Sequence, residues 1–168
     1  MRRFATGVCV VSTFVDLPDG RRHNALTVNS LTSLSLEPPL VSLSLRRGSG
    51  FLADLMASRL WAVSVLDADS EDLARIFARP EEERRRALDG LPAEPGPSTG
   101  ALLLDSGAWL ECRYRNHVAA GDHDLVIGEV VDLGVRNSAD NSAPNSFSPL
   151  IFLHGGFHRI AAPTTGDR

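Results

Sequence analysis

The chain has 168 residues, a net charge of −4, 43% hydrophobic and 23% charged residues. These values fit one folded domain, and they exclude the basic surface of a nucleic-acid binder and the ~18-residue apolar run of a membrane span. All seventeen basic residues are arginine, which excludes a P-loop lysine and any lysine Schiff base of the pyridoxal phosphate type.

Residues 7–14 (GVCVVSTF) form a β-branched run and read as a strand. Asp19-Gly20 marks a turn, and a second strand covers 23–30. Residues 31–36 continue extended, Pro38-Pro39 interrupts the ladder, and 40–45 is another strand. The loop 46–50 leads into a helix at 51–59, whose stripe is Phe51, Leu52, Leu55 and Met56. Residues 60–66 (LWAVSVL) return to a strand. Ser70-Glu71-Asp72 opens a second helix with Leu73, Ile76 and Phe77 on one side. After Pro80, EEERRR at 81–86 pairs Glu81 with Arg85 and Glu82 with Arg86 on an exposed helix face. The prolines of 91–100 predict a structured loop. Strands follow at 108–115 and 125–135, joined through 116–124. The Asn/Ser-rich stretch 137–148 reads as a loose hairpin loop, and 150–153 with 157–160 as one bent strand. Residues 161–168 read as a flexible tail after a single domain at 1–160. Six or more short strands with few helices predict a mainly β fold, a closed antiparallel barrel with helical additions.

The start, Met1-Arg2-Arg3 and then 8–15, superficially matches a secretory leader. Its apolar run is short, is broken by Ser12 and Thr13, and lacks a small-x-small cleavage site, so a cytoplasmic protein is expected. Cys9 and Cys112 both lie in apolar, strand-like contexts, which predicts buried free thiols.

Between Thr27 and Ser44 stand seven hydroxyls (Thr27, Ser30, Thr32, Ser33, Ser35, Ser42, Ser44) and a single charge, Glu37. The strict alternation Val41-Ser42-Leu43-Ser44-Leu45 predicts a strand with one apolar face and one face of hydroxyls. Neutral donors and acceptors suit a flat or anionic small molecule, although a solvated Ser/Thr face reads the same way. The loop Arg46-Arg47-Gly48-Ser49-Gly50 ends a strand and opens a helix. With two guanidiniums and two glycines it forms a candidate phosphate site, or else a plain strand-to-helix turn.

Gly48-Ser49-Gly50-Phe51-Leu52-Ala53 also matches the dinucleotide fingerprint G-x-G-x-x-[GA], with Asp67 after the next strand. A Rossmann reading is disfavoured by the short helix, the hydroxyl-bearing strand before it, and the lack of repeated strand-helix units. Gly121-Asp122-His123-Asp124 presents an imidazole between carboxylates at a turn, a candidate site or a polar hairpin. Joining His123 to His117 or His23 in a metal site needs a convergence that spacing does not supply, so no metal is assigned. Arg79 either reaches a phosphate or complements its helix C-terminus. His154-Gly155-Gly156-Phe157-His158 either brings rings to a site or forms a bulge.

In combination these stretches resemble the short-chain flavin reductase family. The carriers are Arg3-Phe4-Ala5-Thr6-Gly7-Val8, the TVNS…SLEPPL block running from Thr27 to Leu40, Leu73-Ala74-Arg75-Ile76-Phe77-Ala78, Leu110-Glu111-Cys112, Ala120-Gly121-Asp122-His123 and Gly128-Glu129-Val130. They follow the family's order over nearly the whole chain.

The resemblance implies a six-stranded antiparallel split barrel of Greek-key connectivity with two or three flanking helices. It also implies a homodimer holding FMN or FAD near the subunit interface. Thr27, Val28, Asn29 and Ser30 would line the isoalloxazine ring. Ser44, Leu45, Arg46, Gly48 and Ser49, with Phe77 and Arg79, would hold the rest of the cofactor at its phosphate end. Gly121, Asp122, His123 and Phe157 would meet the nicotinamide of NADH or NADPH, with His123 as the catalytic residue. Family members pass reduced flavin to a partner monooxygenase. Three departures stand out: no helix precedes the RFATG stretch, the 137–148 loop is long, and Leu153-His154-Gly155-Gly156-Phe157 replaces an arginine- and tyrosine-bearing segment.

Overall fold

The computed structural model describes residues 2–135 and 147–160. Twelve strands and three helices follow in order: β1 (Thr6–Gly7), β2 (Cys9–Leu17), β3 (Gly20–Val28), β4 (Thr32–Leu36), β5 (Pro39–Arg46), α1 (Gly50–Ser58), β6 (Leu60–Val65), α2 (Glu71–Phe77), α3 (Glu81–Leu88), β7 (Ala93–Pro95), β8 (Leu102–Leu104), β9 (Ala108–Ala120), β10 (His123–Val135), β11 (Leu150–Leu153) and β12 (Gly156–Arg159). Seven strands form one sheet in the order β3-β2-β6-β9-β10-β5-β4. Smaller sheets are β1-β11-β12 and β7-β8. All these strand pairs are antiparallel. The main sheet thus has seven strands where six were expected, and the Rossmann alternative, which requires parallel strands, falls.

Strands β3 and β4 lie at opposite edges of the seven-stranded sheet, yet only residues 29–31 separate them in the chain. So short a link spans at most ~14 Å. The sheet must therefore curl until its edges approach. Ser30 marks the seam: its Oγ donates to the Ser44 carbonyl and accepts from the Ser44 N–H, both at 3.2 Å.

Strand β2 is buried on both faces from Cys9 to Phe14 and apolar at all of these positions but Ser12 and Thr13. Cys9 and Val11 join a core with Leu43, Phe51, Leu55, Trp61 and Val126. Val10, with Val8 just before the strand, joins a second core with Phe77, Leu88, Leu104 and Leu150. Helix α1 closes the first core; α2, α3, β8 and β11 close the second. The Cys9 and Cys112 thiols are free and buried, as expected, and burial pushes both up to about 12.

Other elements differ from expectation. Residues 116–124 are largely strand: β9 and β10 continue to a two-residue turn at Gly121-Asp122, with Gly121 at φ +67°. Residues 150–160 form a hairpin turning at His154-Gly155, not one bent strand. Part of the proline-rich 91–100 segment pairs with β8. Buried Glu111 holds this segment in place by accepting from the N–H groups of Ser98 and Thr99 and from Thr99 Oγ1. The predicted loop at 137–148 and the tail at 161–168 lie almost wholly outside the described residues.

Candidate functional site

The curled sheet brings together segments far apart in sequence. At the seam, Asn29 is exposed, while Val28 is buried and Ser30 is half-buried. The hydroxyl wall expected here is partly consumed by the protein itself. Thr27 Oγ1 donates to the Ala74 carbonyl at 2.7 Å, Ser30 bonds the Ser44 backbone, and Ser42 is buried. What remains open to a ligand is the Asn29 side chain and the exposed hydroxyls of Thr32 and Ser33.

Asn29 also lines a cavity of about 280 Å³ with Arg2, Phe4, Thr6, Phe152 and His154. Inside it Thr6 Oγ1 is buried and has no hydrogen-bond partner. The β11–β12 hairpin supplies the cavity's other wall, and Phe157 stacks edge-on to Phe152 at 5.5 Å. The Arg75 guanidinium lies 5.2 Å from the Phe157 ring centroid. Since Arg75 follows Ala74, Phe157 and Thr27 both contact α2.

Two residues beyond Ser44, strand β5 ends at Arg46, directly opposite His123 of β10. The 46–49 loop and the Gly121-Asp122-His123 turn, read separately in the sequence, are thus neighbours. Gly48 turns the loop at φ +74°, with open space where a side chain would stand. Ser49 caps α1, its Oγ accepting from Leu52 N–H at 3.3 Å, as an N-cap serine does. Gly50 opens α1, with the Glu81 carboxylate at the start of α3 beside it. Across the sheet, His123 Nδ1 and Asp122 Oδ1 are 2.8 Å apart. That hydrogen bond, helped by the nearby charges of His123 and Arg46, holds Asp122 below the usual carboxylate range.

The α2–α3 corner carries Arg79. Its side chain is exposed and 4.0 Å from Glu83, and its carbonyl accepts from Arg84 Nη1 at 2.8 Å. Buried Arg84 also donates to the Ala25 carbonyl at 2.6 Å, tying this corner to β3. The charge run 81–86 is therefore not wholly solvent-facing, although its pairs Arg85–Glu81 and Arg86–Glu82 form as expected.

The model for the flavin reductase like domain matches residues 1–161. The chain belongs to this family. A flavin-reductase relative from Rhizobium meliloti (strain 1021) is 36% identical over 156 residues, covering 92% of this chain but 45% of that protein. The reductase component of 4-hydroxyphenylacetate 3-monooxygenase from Thermus thermophilus is 32% identical, with 98% of this chain and 95% of that protein covered. Among solved structures, the Streptomyces globisporus C-1027 NADH:FAD oxidoreductase SgcE6 in complex with NAD and FAD fragments superposes with a TM-score of 0.80 at 32% identity. That match covers 98% of this chain and 90% of that one.

Among the family-implied positions of this flavin reductase like chain, Asn29, Ser30, Ser44, Arg46, Gly48, Ser49, Gly121, Asp122 and His123 form one band along the curled sheet. Three others do not present side chains to it. Phe77 is 0% exposed and packs in the second core, and Val28 and Leu45 are core residues that can offer only backbone. His117 is engaged by Tyr114 Oη at 2.7 Å. No cluster of three metal-ligating side chains occurs among the described residues. Two participants escaped the sequence reading: Arg47 as a partner of the 121–124 turn, and buried Arg84. The i,i+4 spacing of 81–86 accounts for Arg85 and Arg86 but leaves Arg84 over, which was the available signal.

Proposed function

We propose that this chain is an NAD(P)H-dependent flavin reductase that takes hydride from NADH or NADPH to FMN or FAD and delivers reduced flavin to a monooxygenase. The observation that carries this reading is the Arg46–His123 register, which puts a glycine-arginine anion loop beside the imidazole turn at the rim of an open seam.

The residues present fit a flavin. An exposed amide side chain at Asn29 and the open loop at Gly48 offer polar contacts at the two ends of the band that runs through Ser30, Ser44 and Arg46. A bound flavin supplies the acceptor, N5, for the hydride leaving nicotinamide C4. The chain's own task is alignment. Asn29 and backbone N–H groups beside it would meet the ring edge, and the 46–49 loop with Arg79 would hold the phosphate end. His123, fixed by Asp122, orients the nicotinamide or its carboxamide. No obligatory proton transfer is assigned to it.

The expected assembly is a homodimer of split barrels in the cytoplasm with flavin near the subunit interface. Strand β4 supports it, an exposed sheet edge bearing Leu34 and Leu36, the latter 85% exposed. The test is consumption of NADH and of NADPH by the purified protein with FMN or FAD added. The reading predicts turnover with at least one pair. No turnover with any pair would leave a non-catalytic flavin- or haem-binding barrel.

A further inference from the structure

We propose that Arg47 is a positioning residue. It braces the 121–124 turn against the anion loop, so that the segment receiving the flavin phosphate also sets the place of His123. This rests on the flavin reductase reading. By sequence, Arg47 is one of two adjacent guanidiniums available to an anion. The geometry divides their roles. The Arg47 N–H donates to the Asp122 carbonyl at 3.0 Å. Its side-chain Nη1 donates to the Gly121 carbonyl at 3.5 Å, and its Nε lies 3.4 Å from Asp124 Oδ1. One residue thus contacts three of the four turn residues, and the fourth is His123.

The Asp124 carboxylate side chain is only 14% exposed, and its Oδ1 accepts no hydrogen bond, so the Arg47 guanidinium is the cation recorded beside it among the described residues. Arg47 itself is 56% exposed, and the ion pair alone is worth little. The effect of the brace comes from geometry: without the guanidinium, a nearly buried carboxylate is left uncompensated next to the nicotinamide turn. Arg46, the exposed last residue of β5, forms no ion pair with another described residue and is left for the anion.

The full chain, Arg47→Ala, Arg47→Lys and the double variant Arg47→Ala/Asp124→Asn decide the matter. FMN and riboflavin affinities are measured by titration, NADH KM and kcat by turnover, and amide hydrogen exchange of residues 118–125 in the ligand-free proteins. Arg47→Ala is expected to raise the NADH KM roughly tenfold and to speed exchange in 118–125, while the ratio of riboflavin to FMN dissociation constants stays at its wild-type value. Arg47→Lys should fall between the two, and Asp124→Asn should restore part of the loss by removing the stranded charge. A collapsed riboflavin-to-FMN ratio with unchanged NADH KM would make Arg47 a phosphate ligand and overturn the brace, as would unaltered exchange. If the wild type oxidises no NADH, the reductase reading falls, and the exchange measurement alone decides the role of Arg47.

Discussion

His123 derives its orientation from Asp122, and Asp122 is the more acidic for it. His123→Ala is expected to slow NADH oxidation roughly ten- to hundredfold while flavin affinity is retained, which flavin titration and turnover would separate. Unchanged turnover would remove His123 from the site. His123 was legible as a candidate because a histidine between acids at a glycine turn stands out. The fate of Thr27 and Ser30 was not legible. Their hydroxyls suggested a ligand face, but Thr27 faces the end of α2 and Ser30 faces β5. No local pattern reveals which backbone groups will lie across from a serine once a sheet curls. Phe77 was assigned to the cofactor only through the resemblance, whereas its place on the α2 stripe with Leu73 and Ile76 pointed to the core it occupies.

At the scale of elements, the β9–β10 hairpin sets the site's rim, and its weak point is Gly128. A Cβ there would stand 2.9 Å from Trp61 Cε2, and Trp61 is fully buried in the first core. Gly128→Ala is therefore expected to cost about 1–3 kcal/mol, read as a lower midpoint in urea unfolding; an unchanged midpoint would show that the strand can give way. The β2–β3 hairpin carries a pH dependence. His23 is half-buried edge-on to Phe14, 6.0 Å between ring centroids. Burial, then the charge of Arg21, lowers its affinity for protons below the usual 6.5.

Because the folded pKa is depressed, the unfolded chain takes up a proton first as pH falls. The stability contributed by neutral His23 is present above about 6.5 and is lost as pH falls below it. The urea midpoint of wild type should fall relative to that of His23→Gln as pH drops below about 6.5, with a constant difference above it; parallel curves would contradict this. The longer strands, the α1 stripe and the Asp19-Gly20 turn could be read from period and turn chemistry, whereas the hairpin at His154-Gly155 could not. The outer half of the long hairpin could not, because 115–122 extends past the core and its exposed residues carry no alternation.

For the whole molecule, the decisive feature is that consecutive strands occupy opposite sheet edges. This curl makes Ser30 a neighbour of Ser44 and carries the seam toward the Arg46–His123 pair. The family resemblance could be read from ordered motifs alone. Adjacency of the glycine-arginine loop and the imidazole turn could not, since it depends on the β5–β10 register. If that adjacency serves hydride transfer, the protein imposes one face on the nicotinamide. The most direct measurement is flavin bleaching without oxygen by NADH carrying deuterium on one or the other face of C4. Catalysed bleaching that draws hydride from a single face is the predicted result. Bleaching no faster than in buffer, or drawn equally from both faces, would contradict the account.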